Sequence, residues 1–248
     1  MPEALNLFLL ALLGSIIALV GGFIFLFNKR WSKTLEKNSV PFAAGVLITV
    51  SLLGLLPEAV ELIGEHTFSI LLATFFAAYL FEHLVFSIHH HEGHRHGHDF
   101  KSSAPLVIIG DTIHNFIDGI AIGASFFVTP GLGLITAIST FMHEVPHEIG
   151  DFGILLKAGW KRKNIILVNV ASASMTIFGA FVVFFFSESD SLIGGLLAVA
   201  AGIFLYLGAS DFLPHVSETK GSRAKAILPV VLGVIAMIVT FMAVPHAQ

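Results

Sequence analysis

Hydrophobic residues in this chain run in long blocks separated by short polar segments. A helix needs roughly 20 predominantly apolar residues to cross a bilayer. Eight blocks meet that length, at about 4–27, 40–63, 67–88, 105–129, 131–156, 164–187, 192–214 and 226–245. Lipid offers a backbone amide no partner, so runs this long are expected to form an all-α bundle of eight transmembrane helices. No soluble domain fits between them, and residues 1–248 read as a single transmembrane domain. The N-terminal "MPEALNLFLLALLGS" has no basic segment before its apolar run, which predicts a first membrane helix rather than a cleaved signal.

Composition strengthens this reading. The chain is 55% hydrophobic and 12% charged, where soluble domains carry about 25% charged residues. The mean hydropathy is +0.87. A net charge of −4 gives no reason to expect nucleic acid as a partner, and the absence of cysteine excludes disulfides and thiolate metal sites.

Charge adds an orientation. Lys29, Arg30, Lys33 and Lys37 follow the first block, and Arg95 and Lys101 the third. Lys157, Lys161, Arg162 and Lys163 follow the fifth, and Lys220, Arg223 and Lys225 the seventh. With eight spans, all 13 basic residues fall on one side. The positive-inside rule makes that side cytoplasmic and both termini extracytoplasmic. The expected location is a cytoplasmic (plasma) membrane, crossed many times.

The third connection reads "HHHEGHRHGHDF" and holds His89, His90, His91, His94, His96 and His98. Residues 89–102 are expected to be a flexible cytoplasmic loop. It is either a solvated linker or, since neutral imidazoles are good zinc and copper ligands, a weak metal-binding tract.

The candidate chemistry lies inside two spans. "GDTIHNFIDGIAIG" carries Asp111, His114, Asn115 and Asp118. "STFMHEVPHEIGDF" carries His143, Glu144, His147, Glu148 and Asp151. Ionisable groups at membrane depth are costly and normally face a cavity or a partner. His114 and Asp118, His143 and His147, and His147 and Asp151 are each four apart, so each series lines one helix face. The short "TPGLG" turn makes the two helices antiparallel. Residues at equal depth then share an index sum: 261 for Asp118 with His143 and for His114 with His147, and 262 for Asp111 with Asp151.

Imidazoles and carboxylates together suit a borderline divalent cation such as Zn2+. His114, Asp118, His143 and His147 form one expected ligand set. Asn115 and Glu144, sharing Asp118 or His147, form an adjoining one. Glu148 is a further expected metal residue, and Asp111 and Asp151 extend the line toward the cytoplasm as a transport pathway. Pro146 is expected to free the Met142 carbonyl and kink its helix. Gly119, Gly123 and Gly150 are expected to allow close helix approach. Glu58, Glu82, His83 and Asp211 are possible vestibule groups.

His143 to His147 also match H-E-x-x-H, the signature of zinc proteases in which the Glu activates a metal-bound water. An intramembrane protease with Asp118 as third ligand is therefore the alternative. It has no use for a continuous ladder from midplane to one face, nor for a proline within a motif that must be rigid. A metal sensor or buffer working through the histidine-rich loop is a third possibility. No G-x-x-x-x-G-K-[ST] phosphate loop is present.

"HNFIDG" at 114–119 and "HEVPHEIGDF" at 143–152 resemble the ZIP family of divalent metal transporters, in the branch carrying H-E-x-P-H-E-x-G-D. "GIFLYLGASDFLPH" resembles that family's seventh span. The resemblance implies a transporter, not an enzyme, that moves zinc, with iron, manganese or cadmium as further candidates, into the cytoplasm. It implies a binuclear centre between the fourth and fifth spans, a homodimer in the lipid bilayer, and alternating access. By motif position it places His114, Asp118, His143 and His147 at one metal, and Asn115, Asp118, Glu144 and His147 at the other. The large N-terminal domain and cysteine motif frequent in that branch are not in this sequence. His at 143, where broader-selectivity members have Glu, implies a zinc preference.

Overall fold

The structure, a computed structural model, describes residues 2–27, 29–87, 100–186, 188–214 and 223–245. The histidine tract, His89 to His98, lies outside them. The described residues form helices and short turns: α1 (Pro2–Gly14), α2 (Val20–Phe27), α3 (Lys29–Val50), α4 (Leu56–Ile63), α5 (His66–Ser87), α6 (Phe100–Val128), α7 (Pro130–Lys157), α8 (Arg162–Phe184), α9 (Asp190–Tyr206) and α10 (Arg223–Ala243). Wide π-helical turns at Ser51–Leu55 and Leu207–Phe212 join α3 to α4 and extend α9.

Six helical segments are long and apolar enough to cross a membrane: Asn38–Ile63, His66–Leu84, Ala104–Val128, Arg162–Phe184, Asp190–Phe212 and Ala226–Ala243. Two predicted spans differ from this simple form. The first is interrupted, because the helix opens at Ser15–Leu19 and resumes as α2. Ser15 Oγ returns a 2.6 Å hydrogen bond to the Ala11 carbonyl, the kind of back-bonding that bends helices. The offset lets both halves lie tightly on α7: a Cβ at Gly14 would press on Thr140, and one at Gly21 would strike the Val145 carbonyl within 2.5 Å. The other is α7, unbroken for 28 residues but carrying Glu144, Glu148 and Asp151 in its second half. Pro146 lies inside it without ending it.

The first π turn has a tertiary tie. Ser51 Oγ donates at 2.7 Å to the Ala201 carbonyl, so its side chain ties the first π turn to α9. The second π turn carries Asp211. Such turns recur at functional positions.

α6 and α7 form the centre. Their hairpin is set by Thr129, extended at φ −146°, whose hydroxyl caps Leu132 N at 3.0 Å, with Pro130 as the first helical residue. α8 crosses α6 closely because glycines face each other's backbone: a Cβ at Gly119 would overlap the Thr176 carbonyl, and one at Gly179 the Phe116 carbonyl. Gly123 lies against Ala180 in the same crossing. Gly150 has no such neighbour, so the close approach expected of it is not found. α3 packs on α7 and α9 on α6, and the two share a core that includes Leu47, Val50, Leu197 and Phe204. α5 and α10 are peripheral, with 6% and 17% of their apolar windows buried.

Candidate metal centre

The antiparallel ladder is present. His143 Nε2 lies 3.0 Å from Asp118 Oδ2. One turn on, the His114 and His147 rings stack at 4.8 Å and 17°. The next turn brings Asp111, His147 and Asp151 together, one ligand atom from each, all within 4.8 Å. Asp118, His143, Glu144 and Glu148 are at most 1% exposed.

The hydrogen bonds define what the imidazoles can do. His143 Nδ1 is 2.9 Å from the Ser139 carbonyl, which can only accept, so Nδ1 carries a proton. In the neutral ring Nε2 then presents a lone pair to an Asp118 oxygen. A proton or a metal ion is what holds two such acceptors together. His114 Nε2 faces Glu144 Oε1 in the same way at 3.1 Å, and Asp118 Oδ2 at 3.8 Å. Tetrahedral ligands about 2.0–2.1 Å from zinc sit roughly 3.3 Å apart. In the first set, His114, Asp118, His143 and Glu144, three spacings are 3.0, 3.1 and 3.8 Å, and all four ligand atoms lie within 4.8 Å of one another.

Orphaned atoms mark the same place. His114 Nε2, Asp118 Oδ1, Glu144 Oε1, His147 Nδ1 and both Glu148 carboxylate oxygens are buried with no hydrogen-bond partner. Native proteins rarely leave buried polar atoms unsatisfied. His114 Nε2 and Glu144 Oε1 face each other at 3.1 Å, and the other four atoms are open to a cation.

The residues divide differently from the sequence expectation. Glu144 joins the His114, Asp118 and His143 set, while His147 groups with Asp111 and Asp151. Asp111 also groups with Glu144 and Glu148, which links the two sets. His147 turns away because its ring lies over His114 and its Nδ1 is 4.0 Å from Asp151 Oδ2. Asn115 is engaged elsewhere. Its amide donates to the Asp111 carbonyl at 3.1 Å and to Asp111 Oδ1 at 2.9 Å. Its Oδ1 accepts from Thr176 on α8 at 2.9 Å. It holds Asp111 in place rather than facing the imidazoles. Thr176 gave no signal in the sequence, being an ordinary hydroxyl in an apolar span.

A cavity of about 560 Å³ leads to the cluster between α5, α6, α7 and α9. Its acidic and imidazole lining is Asp111, His114, His147 and Asp151, joined by Glu82 and Asp211. Tyr206 donates to Glu82 at 2.5 Å across that wall. His83 instead is exposed, stacked on Tyr79 with its Nδ1 2.9 Å from the Tyr79 carbonyl. Glu58 sits in the first turn of α4, away from the cavity lining.

Comparison with known proteins agrees with this chemistry. The family model described as ZIP Zinc transporter matches residues 89–240, more than half of the chain. The "Zinc transporter foi" of Drosophila melanogaster is 34% identical over 161 residues, covering 60% of this chain and 23% of its own length. The human "Zinc transporter ZIP4" is 40% identical over 118 residues, covering 48% of this chain and 18% of its own. The human "Zinc transporter ZIP10" is 40% identical over 153 residues, covering 54% and 18%. The chain thus spans under a quarter of the length of these relatives. On the family match and the helical architecture, this chain is a multi-pass integral membrane protein and belongs to the ZIP zinc transporter family.

Proposed function

We propose that this protein carries zinc into the cytoplasm through a two-metal site between α6 and α7. One ion is held by His114, Asp118, His143 and Glu144. The second is held by Asp111, His147 and Asp151, with Glu148 and Glu144 bridging toward the first. The observation that carries the reading is the row of unpartnered imidazole and carboxylate atoms that continues into a cavity. A mixed nitrogen and oxygen set suits zinc, and the oxygen-richer second set binds more weakly, as a departing ion requires.

In this reading α1 and α2 form one broken span and α7 is the polar central span, which makes eight. The α6–α7 turn is then extracytoplasmic. The cavity descends along the first half of α6 and the second half of α7, toward the side of the basic connections. Iron(II), manganese(II) and cadmium(II) are competitors to be tested against zinc.

The test is zinc uptake into proteoliposomes. Wild type accumulates zinc, while His143→Ala and Asp118→Ala reach the membrane and do not. Full uptake by either variant would falsify the site. The protease reading predicts peptide cleavage that Glu144→Gln abolishes while metal stays bound. Zinc flux without cleavage removes it.

A further inference from the structure

The polar face of α7 does not end at His143. Thr136, Ser139 and Thr140 precede it by seven, four and three residues, which places them on the same side of the helix. α6 answers with Ser125: Thr136 donates to Ser125 Oγ at 2.9 Å. These two positions share the index sum of 261 that relates Asp118 to His143. The ladder therefore has a hydroxyl rung on the far side of the metal cluster from the cavity.

Between that rung and His143 lie Ser139 and Thr140. Both are completely buried, and neither hydroxyl has a hydrogen-bond partner. Among the described residues the Ser39 and Thr67 hydroxyls also lack a partner, but neither residue adjoins the metal cluster. Ser15, Thr49, Thr74, Ser174 and Thr240 all bond the carbonyl four residues back. Ser139 and Thr140 leave that bond unmade, at a cost in stability. Thr140 also packs by its methyl group at the α1 contact, since a Cβ at Gly14 would meet Thr140 Cγ2 at 3.0 Å and Ile122 Cδ1 at 2.9 Å. Ile122, which shares the 261 sum with Ser139, is fully buried, as are Ala121 and Ala124. This half of the α6–α7 seam is closed, and the cavity reaches only its other half.

We infer that Ser139 and Thr140 are cation contacts on the closed side of the cluster. Their hydroxyl oxygens meet a hydrated divalent cation before His143 and Glu144 take it. Neutral oxygens hold a divalent ion more weakly than imidazole or carboxylate, so the ion passes on rather than resting there. α1, lying on Thr140 and Ile122, is the element that must withdraw for the ion to arrive. The inference rests on the transport reading and adds its outer approach.

The double substitution Ser139→Ala with Thr140→Val removes two hydroxyls and almost no volume. Measurements are zinc uptake kinetics in proteoliposomes, equilibrium zinc affinity and the melting temperature in detergent. We expect a melting temperature equal to or above wild type, unchanged zinc affinity, and a several-fold higher KM for uptake. Thr140→Ser, which keeps a hydroxyl, should restore much of the loss. Wild-type uptake kinetics in the double variant would overturn the inference. So would a fall in melting temperature, or loss of zinc affinity, since either would mean that the hydroxyls serve the fold or the cluster. Absence of uptake by wild type would defeat the transport reading first, before any variant is compared.

Discussion

Replacing Gly119 by Ala is a sharp test of how the centre is held. A Cβ at this position would overlap the Thr176 carbonyl oxygen and come within 2.9 Å of Ala180 N. Even favourable carbon–oxygen contacts keep about 3.3 Å, so α6 and α8 must separate by on the order of an ångström. Overpacking of this kind costs about 1–3 kcal/mol. The displaced residue is the same Thr176 that donates to Asn115, which in turn orders Asp111. Gly119→Ala should therefore lower the melting temperature in detergent and also depress zinc uptake. Gly150→Ala is the matched control. It sits in α7 beside Asp151, yet a Cβ there meets nothing within 4 Å. Alanine in a helix gains about 0.5–1 kcal/mol over glycine, so this variant should melt at the same temperature or higher. If the two variants melt alike, the α6–α8 crossing is not packed as described.

Thr176→Val should lower uptake with little change in expression, because it leaves Asn115 Oδ1 buried without its donor at a cost of about 1–3 kcal/mol; uptake and melting equal to wild type would show that Asn115 does not depend on α8. Tyr206→Phe removes a hydrogen bond to Glu82, worth about 1.5–3 kcal/mol when the acceptor is charged. It should lower the melting temperature by loosening α5 from α9, and a neutral result would demote the pair to a surface contact. Ser51→Ala removes the tie to the Ala201 carbonyl; unchanged melting would mean that the π turn is held by packing alone. Deleting residues 89–98 should leave uptake in place with an altered rate, whereas complete loss would favour the sensor reading.

Much of the centre was legible because two simple periods govern it. Four-residue spacing put His114 with Asp118, and a short antiparallel turn paired index sums, so the rungs followed from counting. What counting does not supply is side-chain direction. His147 stacks on His114 and joins the carboxylate set, and Asn115 turns to α8, because rotamers answer to neighbours on other helices. The partners Thr176 and Tyr206 come from spans remote in sequence, and nothing local marks them. Hydropathy found the helices but not the break at Ser15–Leu19, since every residue around it is compatible with a continuous apolar run. The break directly follows Gly14, and Gly14 and Gly21 on its two sides both sit tightly against α7. Gly150 shows the converse: a glycine beside the motif looked like a packing residue, yet a Cβ there would meet nothing within 4 Å.

The orphaned imidazole and carboxylate atoms carry a last expectation. A cluster of buried carboxylates and imidazoles with several atoms left without hydrogen bonds weighs against the folded state, and an ion that satisfies them stabilises it. Binding to the folded form alone contributes RT ln(1 + [L]/Kd), about 2.7 kcal/mol at a hundredfold excess over Kd. Zinc should therefore raise the melting temperature of the wild type, with the size of the rise following zinc concentration. The effect is expected from α6 and α7, where Asp118 and His143 are fully buried between helices that unfolding must separate. Asp118→Asn with His143→Ala should abolish most of the rise, while deletion of 89–98 should not. A zinc-induced rise that survives the double substitution and disappears with the deletion would place the dominant ion in the loop. No rise in any form would mean that the buried ligands are satisfied by protons, and that the cluster does not hold zinc in the state described.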